Sequence, residues 1–367
     1  MSTLTAASQQ WASRPADERF ANLYDMQASM TRLRGASTND VVSNRKIQLF
    51  PGGDDRRSLR IRTEGGALDG LVMEPTHKSF GQICSLASPG NSPAAYFRDS
   101  NLTSDYIADC LNHNFRFNRE VESVGLLGTV LDNTQADLRA ATGPNYGRIW
   151  NSEICDALVN QFGDGVNGKF RVPGEFGQRV AIDKKNTTLY ASDRDMFVFL
   201  ADEENRIEVA GRQLARGFFV WNSEVGDTTL GLGFFLFDYV CCNRMVWGAD
   251  QYTEVRVRHT KGAPDRWLEE VQPVLIEYAN GSAAPVVEAI ETARQRKLGD
   301  DEDAFIAARF GKRMVEPLKA ISMTEEGHPI ENILDLVVAA TAHARSIPNT
   351  NDRIEVERTA GALLQAA

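Results

Sequence analysis

The chain has few of the residues that build metal centres or disulfide frameworks. It contains five histidines, and none stands at a Cys-x-x-Cys, His-x-x-x-His or His-Glu-x-x-His spacing. The five cysteines are an odd number without regular spacing, and Cys241 and Cys242 are adjacent within an apolar, strand-like segment. Such usage favours reduced, buried thiols over disulfides. We therefore predict no cofactor, no metal site and no disulfide framework.

Long apolar runs are also missing. No stretch approaches the roughly 18 apolar residues that a membrane-spanning helix needs. The first 20 residues lack a basic segment followed by an apolar core, which is the pattern of a secretory signal. Hydrophobic residues make up 42% of the chain and charged residues 25%, as in ordinary globular proteins. The sequence predicts a cytoplasmic protein without membrane contact.

Motifs for nucleotide binding and nucleophilic catalysis are absent. The glycine-rich segment at Gly163, Gly165 and Gly168 follows a predicted helix and precedes a predicted strand, which is the reverse of a phosphate loop. No Gly-x-Ser-x-Gly motif occurs. Ser223 lies beside carboxylates in a predicted loop, but the favoured interpretation is a polar turn stabilised by side-chain bonds to the backbone. We keep Asn222, Ser223 and Glu224 as a candidate functional loop and assign no catalytic residue.

Acidic residues near the predicted strands leave one enzymatic alternative open, a metal-dependent nuclease. Such an enzyme places an acid on one strand and Glu-x-Lys on the next. Here the segment Glu254-Val255-Arg256 has arginine at the lysine position, and a guanidinium does not replace a titratable ammonium. The sequence therefore favours a protein that is not an enzyme. The candidate carboxylates are Asp193, Asp195, Asp202, Glu224, Asp227, Asp238 and Glu254.

Hydrophobic periodicity predicts an α+β fold. Alternating patterns at residues 45–73 and 120–261 indicate one central, mainly antiparallel sheet of about five to seven strands, with helices on a face. Residues 46–50 and 58–63 predict a β-hairpin, residues 76–115 predict three short helices, Ser152–Phe162 predicts another helix, and residues 179–183 predict one of the strands. After Lys261 the periodicity is helical to the end. We divide the chain into an N-terminal arm and helix (1–44, with a linker at 35–44), an α+β core (45–265) and a helical C-terminal lobe (266–367).

The segment 214–261 is the most apolar part of the predicted sheet. Most of its aromatic side chains are expected in the core, among them Phe218, Phe219, Phe234 and Phe235. Trp221 and Trp247 flank polar loops, where exposed aromatic rings would stack on nucleic-acid bases.

Two predicted strands carry arginines at every second position. Arg60 and Arg62 share one face of the first strand, and Arg256 and Arg258 share one face of the second, with Lys261 beyond it. One interpretation is a solvated face that protects a sheet edge. The other is a surface that contacts phosphates of single-stranded nucleic acid. We take these five residues as the predicted nucleic-acid-binding site.

The net charge of −10 is uneven along the chain. Residues 268–367 hold 17 Asp and Glu residues against 10 Lys and Arg residues. An acidic helical surface can occupy the basic site of a partner. A protein-interaction or host-takeover factor that acts through this acidic lobe is therefore the alternative function, and the partner would be a host or phage protein. The lobe is also a candidate contact in a homo-oligomer.

Seven short segments occur in a fixed order between residues 75 and 265. They are Phe80-Gly81-Gln82-Ile83-Cys84, Pro93-Ala94-Ala95-Tyr96-Phe97-Arg98, Leu138-Arg139-Ala140, Ser192-Asp193-Arg194-Asp195, Asn222-Ser223-Glu224-Val225-Gly226, Val240-Cys241-Cys242-Asn243 and Arg256-Val257-Arg258-His259-Thr260. Together they resemble a phage- and plasmid-like protein family, the domain of unknown function 932. One departure is Thr142-Gly143-Pro144-Asn145-Tyr146, where the family more often has Ser-Asp-Arg-Tyr.

This resemblance implies a phage or mobile-element protein in the cytoplasm of a host cell, with a role in DNA metabolism or recombination. It carries no catalytic residue over to this chain. Together with the arginine pairs, it leads us to expect non-catalytic binding or annealing of single-stranded nucleic acid by an oligomer.

Overall fold

The protein has two β-sheets, each covered by helices. The computed structural model describes residues 15–53, 58–118, 120–131, 136–173, 181–238, 244–247, 254–344, 346–347 and 350–366. The predicted α+β class is confirmed, but the prediction of one central sheet is wrong, since the strands before residue 143 and those after residue 169 form separate sheets. Alternating hydrophobicity fixes which face of a strand is buried, but it does not fix the strand's partner.

The first sheet has six strands in the order β1-β5-β6-β4-β3-β2. All neighbours are antiparallel except β4 and β6, which are parallel. The β2–β3 hairpin was predicted from the sequence and is confirmed. The strands are β1 (Ser37–Ser43), β2 (Ile47–Pro51), β3 (Leu59–Thr63), β4 (Met73–Pro75), β5 (Ser123–Val130) and β6 (Ala136–Thr142).

Three helices cover this sheet, as the sequence predicted for residues 76–115. They are α2 (His77–Ala87), α3 (Ala94–Asp99) and α4 (Ser104–Phe117). Their buried faces share one core with the strands, and Cys84 is a free, buried thiol within it. Helix α4 also covers the edge strand β2, because the side-chain amide of Asn112 accepts from the backbone N–H of Leu49 and donates to its carbonyl oxygen, both at 2.8 Å. The exposed backbone of an edge strand is thereby satisfied.

The second sheet has eight strands. Its main path runs β13-β12-β11-β9-β7, while β10, β14 and β8 pair with β11, β12 and β9 respectively. Within the described residues, the strand pairs of this sheet are all antiparallel. The strands are β7 (Phe170–Arg171), β8 (Leu189–Ala191), β9 (Met196–Asp202), β10 (Ile207–Val209), β11 (Arg212–Asn222), β12 (Leu230–Asp238), β13 (Arg244–Trp247) and β14 (Val255–Val257).

Both faces of the second sheet are apolar. On β11, Phe218 and Val220 face a core shared with helices α1 (Leu23–Gly35) and α5 (Asn151–Phe162). The alternate residues Phe219 and Trp221 face an aromatic cluster on the opposite side. Successive side chains of a strand point to opposite faces, so the sheet has almost no polar face at its centre. The predicted burial of Phe218, Phe219, Phe234 and Phe235 is confirmed.

The chain after residue 262 is helical, as predicted. A five-residue π turn, Trp267–Val271, joins the first two of these helices. The later helices share a core with Ile207, Val209, Leu214 and Leu236, so this lobe packs against the second sheet. The helices are α6 (Ala263–Arg266), α7 (Gln272–Asn280), α8 (Ala284–Gln295), α9 (Glu302–Phe310), α10 (Val315–Glu325), α11 (Ile333–Ala344) and α12 (Thr350–Gln365). Among the residues that the structure describes, no helix is long and apolar enough to cross a lipid bilayer.

Two local predictions are wrong. The predicted linker at 35–44 is strand β1, which pairs with all of Ser123–Thr129 in β5. Its sequence, STNDVVS, alternates weakly because the strand lies at the sheet edge and buries only the side chain of Val42. The strand predicted at 179–183 is absent from its described part, residues 181–183. Cys241 and Cys242 lie outside the described residues, as does Asn243.

Candidate nucleic-acid interface

The structure separates the two predicted arginine pairs. Arg60 and Arg62 lie on β3 of the six-stranded sheet, whereas Arg256 lies on β14 of the eight-stranded sheet and Arg258 follows it. The alternation predicted within each strand is present, since Ile61 and Val257 are buried while Arg62, Arg256 and Arg258 are exposed. The pairs do not lie on neighbouring strands of one sheet.

The predicted cations also differ in whether they are neutralised. Arg60 forms an ion pair with Glu74 at 3.3 Å, and Arg256 forms one with Glu254. Arg258 and Lys261 are exposed, and in the described part of the chain no carboxylate pairs with them. An arginine already paired with a carboxylate has less electrostatic free energy to gain from a phosphate.

Trp221 is not the exposed stacking ring that its position beside a polar loop suggested. It is 3% exposed and stacks on Phe219 with ring centroids 5.0 Å apart. The guanidinium of Arg256 also lies over this ring, 5.8 Å from its centroid. Trp221 therefore belongs to the core. The side chain of Trp247 lies outside the described side chains.

The candidate loop Asn222, Ser223 and Glu224 is completely buried, with each residue at most 1% exposed. The amide of Asn222 donates to the Ile149 carbonyl at 2.9 Å and to the side chain of Asn151 at 2.8 Å. These bonds join the end of β11 to the start of helix α5.

Glu224 forms a buried ion pair with Arg139 of β6. Arg139 Nη2 lies 3.0 Å from Glu224 Oε2, and the two side chains are 3% and 1% exposed. The other carboxylate oxygen accepts from the backbone N–H of Asn151 at 2.8 Å. Arg139 Nε also donates to the Asp193 carbonyl at 3.1 Å. A residue of the first sheet is thus tied to two loops of the second.

Further hydrogen bonds join the same elements. The hydroxyl of Ser223 donates to the Arg194 carbonyl at 2.7 Å, and the hydroxyl of Tyr146 donates to the Ser223 carbonyl at 2.9 Å. Gln82 of helix α2 donates to the Val225 carbonyl at 2.6 Å. We call this set of contacts the inter-sheet junction, defined by Gln82, Arg139, Tyr146, Asn151 and Asn222–Val225.

Next to the inter-sheet junction, the ring of Tyr146 contacts a second aromatic ring and a guanidinium group. The rings of Tyr146 and His259 stack with centroids 4.9 Å apart, and Arg148 lies 5.2 Å from the Tyr146 centroid. Burial lowers the pKa of His259 to about 4, with Arg148 acting in the same direction and the Gly147 carbonyl opposing it. Burial lowers the pKa of Arg148 to about 10. Each shift reflects the cost of a charge held away from water.

The carboxylates considered for a nuclease are spread over separate contacts. Asp227 pairs with Lys78 and with Arg194, Glu254 pairs with Arg256, and Asp202 accepts from Asn205. The side chain of Asp238 lies outside the described side chains. Within the described ranges, no group of three or more His, Cys, Asp or Glu residues is placed to hold a metal ion.

A groove of about 770 Å³ lies between β2 and helix α4 of the six-stranded sheet. Three cations line it, Arg45, Lys46 and Arg116, against one carboxylate, Glu64. All three cations are exposed, and among the described residues none of them forms an ion pair. We call this feature the basic groove.

Aromatic rings stand at one end of the basic groove. Phe117, which lines it, is 64% exposed, and the ring of His113 lies 4.7 Å from it. Arg62 reaches the groove as well, because its Nε donates to Gln48 at 2.7 Å and Gln48 is a lining residue. One predicted site residue therefore lies beside the groove.

Sequence reasoning missed Arg45, Lys46 and Arg116. Arg45 precedes and Lys46 begins the strand predicted at 46–50, and their position beside a strand with an arginine-rich partner was a usable signal. Arg116 and Phe117 lie just beyond the helix predicted at 104–115 and end the observed helix α4, and only the three-dimensional fold brings that helix end beside β2.

The fold and these surfaces define an α+β protein with two sheets, a buried polar junction between them and a basic, aromatic groove on one of them. Residues 180–323 match the model of the family described as domain of unknown function (DUF932). The resemblance drawn from the sequence is confirmed, although the match begins after its first three segments and continues into helices α6–α10. Searches of the curated proteins and of the solved structures found no match.

Proposed function

We propose that this protein binds single-stranded nucleic acid without catalysing a reaction, and that the strand lies in the basic groove. The observation that carries the proposal is the lining of the groove, where Arg45, Lys46 and Arg116 are exposed and not neutralised by ion pairs in the described part of the chain. A phosphodiester backbone releases counterions when such cations replace them.

The exposed rings favour a single strand over a duplex. Unpaired bases stack on aromatic side chains without regard to sequence, and each stacked base contributes roughly 1–3 kcal/mol. Phe117 offers an exposed face for this contact, with His113 beside it. The amide of Gln48 also lines the groove and adds a hydrogen-bonding group, whereas the amide of Asn118 is already bonded to Leu86, Glu120 and Val121.

The placement of the carboxylates favours binding over cleavage. Nuclease chemistry needs acids that converge on one metal-binding point. Here Glu224 is buried against Arg139, and Asp227 is held between Lys78 and Arg194. A role in phage or mobile-element DNA metabolism, in the host cytoplasm, belongs to the same proposal and is supported by the family resemblance.

Fluorescence anisotropy with a labelled 20-nucleotide oligo(dT) at 50 and 200 mM salt tests the proposal. The triple variant Arg45→Gln/Lys46→Gln/Arg116→Gln should bind more weakly, and its log–log salt slope should be smaller by roughly two. The matched control is Arg294→Gln/Lys312→Gln/Arg313→Gln, which removes three exposed charges from the C-terminal helices.

Two outcomes contradict the proposal: no binding by the parent protein at 50 mM salt, or equal weakening by the groove triple and by the control triple. The same titration with oligo(U) and with a duplex establishes the kind of nucleic acid. The double variant Arg258→Gln/Lys261→Gln tests whether the strand also reaches the cations after β14.

A further inference from the structure

A second cation-lined cavity lies at the inter-sheet junction, away from the basic groove. It has a volume of about 470 Å³ and lies along helix α2, between the end of β6 and the loop that holds Arg194. Its basic lining residues are His77, Lys78, Arg98 and Arg194, and no lining residue is acidic. We call it the junction cavity.

One carboxylate, Asp227, neutralises part of this positive charge, although it does not itself line the cavity. Asp227 pairs with Lys78 and, at 2.8 Å, with Arg194. Burial by itself would raise the pKa of Asp227, but the hydrogen bonds from Arg194 and Lys78 outweigh it and lower the pKa. Asp227 is therefore ionised at neutral pH and holds both cations at the rim of the cavity.

Arg98 remains without a carboxylate partner among the described residues. Its Nη2 donates to the His77 carbonyl at 2.6 Å, and its guanidinium lies 5.3 Å from the centroid of the Phe80 ring. A methyl group at position 81 would lie 3.1 Å from Arg98 Nη2, so Gly81 leaves room for the guanidinium against the helix. The side chain is thus held in place while its charge is not neutralised.

Lys78, Arg98 and Arg194 meet at the cavity, where Asp227 pairs with two of them and Asp195 and Asp193 act on Arg194 from farther away. Positive charge is therefore left over chiefly at Arg98. A phosphomonoester carries a charge of roughly −1.5 to −2 at neutral pH, and guanidinium groups bind its oxygens through paired hydrogen bonds. We propose that the junction cavity binds a phosphomonoester group, as found on a free nucleotide or at the phosphorylated end of a strand. This proposal goes beyond the proposed groove function and does not depend on it.

Calorimetric titrations test this site. The ligands are inorganic phosphate, thymidine 5′-monophosphate, and oligo(dT) bearing either a 5′-phosphate or a 5′-hydroxyl. Phosphate should bind and raise the melting temperature relative to chloride at equal ionic strength. Stronger binding of the nucleotide indicates a free nucleotide as ligand. A preference for the 5′-phosphorylated over the 5′-hydroxyl strand indicates a strand end. No difference between phosphate and chloride would overturn the proposal.

Two variants with opposite expected effects separate binding from structure. Arg98→Gln/Arg194→Gln should weaken phosphate binding at least tenfold. Asp227→Asn releases Lys78 and Arg194 from their carboxylate and should tighten phosphate binding several-fold, an effect that a purely structural role of Asp227 does not produce. Unchanged or weaker binding by a folded Asp227→Asn protein contradicts the proposal.

The basic-groove triple variant distinguishes this site from the proposed function. It should keep full phosphate affinity while losing affinity for the unphosphorylated strand. If it loses phosphate binding too, the phosphate binds in the basic groove and the junction cavity is not the site.

Discussion

The two sheets use their charged residues in different ways. Around the eight-stranded sheet, Arg171 and Arg194 are held by Glu203 at 2.9 Å and by Asp227 at 2.8 Å, and Glu224, which follows β11, holds Arg139 of the six-stranded sheet at 3.0 Å. Beside the six-stranded sheet, Arg45, Lys46 and Arg116 stand exposed around the basic groove without ion pairs in the described part of the chain.

The aromatic residues show the same difference. On the eight-stranded sheet, Phe219, Trp221 and Phe235 are at most 3% exposed and contact one another. On helix α4 of the six-stranded side, Tyr106 and Phe117 are 54% and 64% exposed. The exposed rings are accessible to a binding partner, whereas the buried rings of the eight-stranded sheet are not.

We therefore expect the residues of the second sheet to determine stability and those of the basic groove to determine binding. Polar and aromatic residues at the second sheet satisfy one another, and their loss should unfold the protein. At the basic groove, Arg45, Lys46 and Arg116 have no ion-pair partner in the described part of the chain and Phe117 is largely exposed, so their loss should leave the fold intact while it changes what the protein binds. Four predictions test this division, from the largest expected effect to the smallest.

The largest effect should come from Arg139→Met. It leaves the Glu224 carboxylate buried without its cation, and breaking a buried pair from one side costs about 3–5 kcal/mol of unfolding free energy. Urea denaturation followed by tryptophan fluorescence measures the loss. The double variant Arg139→Met/Glu224→Met should recover part of it, since no charge is then left unpaired.

The control for this prediction is Arg266→Ala, which breaks an exposed pair with Glu270 within helix α6 and the π turn. Exposed pairs contribute little to stability, so this variant should unfold at the same urea concentration as the parent. Equal destabilisation by Arg139→Met and Arg266→Ala would show that the inter-sheet junction does not hold the two sheets together.

Arg139 and Glu224 illustrate which features could be predicted from the sequence and which could not. Both residues belong to segments that carry the family resemblance, and Asn222–Glu224 was kept from the sequence as a candidate functional loop. Its role as a buried contact between two sheets was not predictable, because β6 and β11 are 70 residues apart and periodicity says nothing about long-range pairing.

Secondary structure within one segment was easier to predict from the sequence than the make-up of the surface sites. The β2–β3 hairpin, helix α5 and the C-terminal helices follow from patterns within one segment. The basic groove combines the end of helix α4 with residues before β2, so no single segment contains it. Charge at Arg60 and Arg256 was visible in the sequence, whereas their neutralisation by Glu74 and Glu254 was not.

The second prediction concerns Gly231, which faces Trp221 across the β11–β12 pair. A methyl group at this position would overlap the Trp221 ring, and the ring is held by Phe219 on its other side. Gly231→Ala should therefore destabilise the protein by about 3 kcal/mol, near the upper end for overpacking. Thermal unfolding measures this effect.

The matched control is Gly35→Ala at the end of helix α1, where no atom lies within 4 Å of the added methyl group. Its stability should stay within error of the parent or rise slightly, since alanine is the better helix former. A Gly231→Ala protein as stable as Gly35→Ala would mean that the aromatic cluster is loosely packed.

The third prediction is a pH dependence that originates at His259. Its pKa is lowered by burial from 6.5 to about 4, so between these pH values the unfolded chain binds a proton that the folded chain does not. Stability therefore falls as pH decreases from 7 to 5, with a contribution on the order of 1–2 kcal/mol.

His259→Asn should remove this contribution, because asparagine does not titrate. Urea midpoints at pH 7 and pH 5 measure the difference for the parent and the variant. The exposed His328 offers the control, since His328→Asn should leave the parent's pH dependence unchanged. A parent-like pH dependence in His259→Asn would place the sensitive group elsewhere.

The smallest expected effect is that of Phe117→Ala, and it concerns binding alone. Phe117 is 64% exposed, so its removal takes away little buried surface and the urea midpoint should not change. If bases of a single strand stack on its ring, the affinity for oligo(dT) should fall about fivefold, which corresponds to roughly 1 kcal/mol. The salt slope should stay the same, because no phosphate contact is lost.

Tyr24→Ala removes a ring of similar exposure on helix α1, remote in sequence from the groove residues, and should leave the affinity unchanged. Equal affinities of the Phe117→Ala and Tyr24→Ala proteins would mean that the basic groove contacts only the phosphate backbone. The exposed rings of helix α4 would then bind a partner other than nucleic acid.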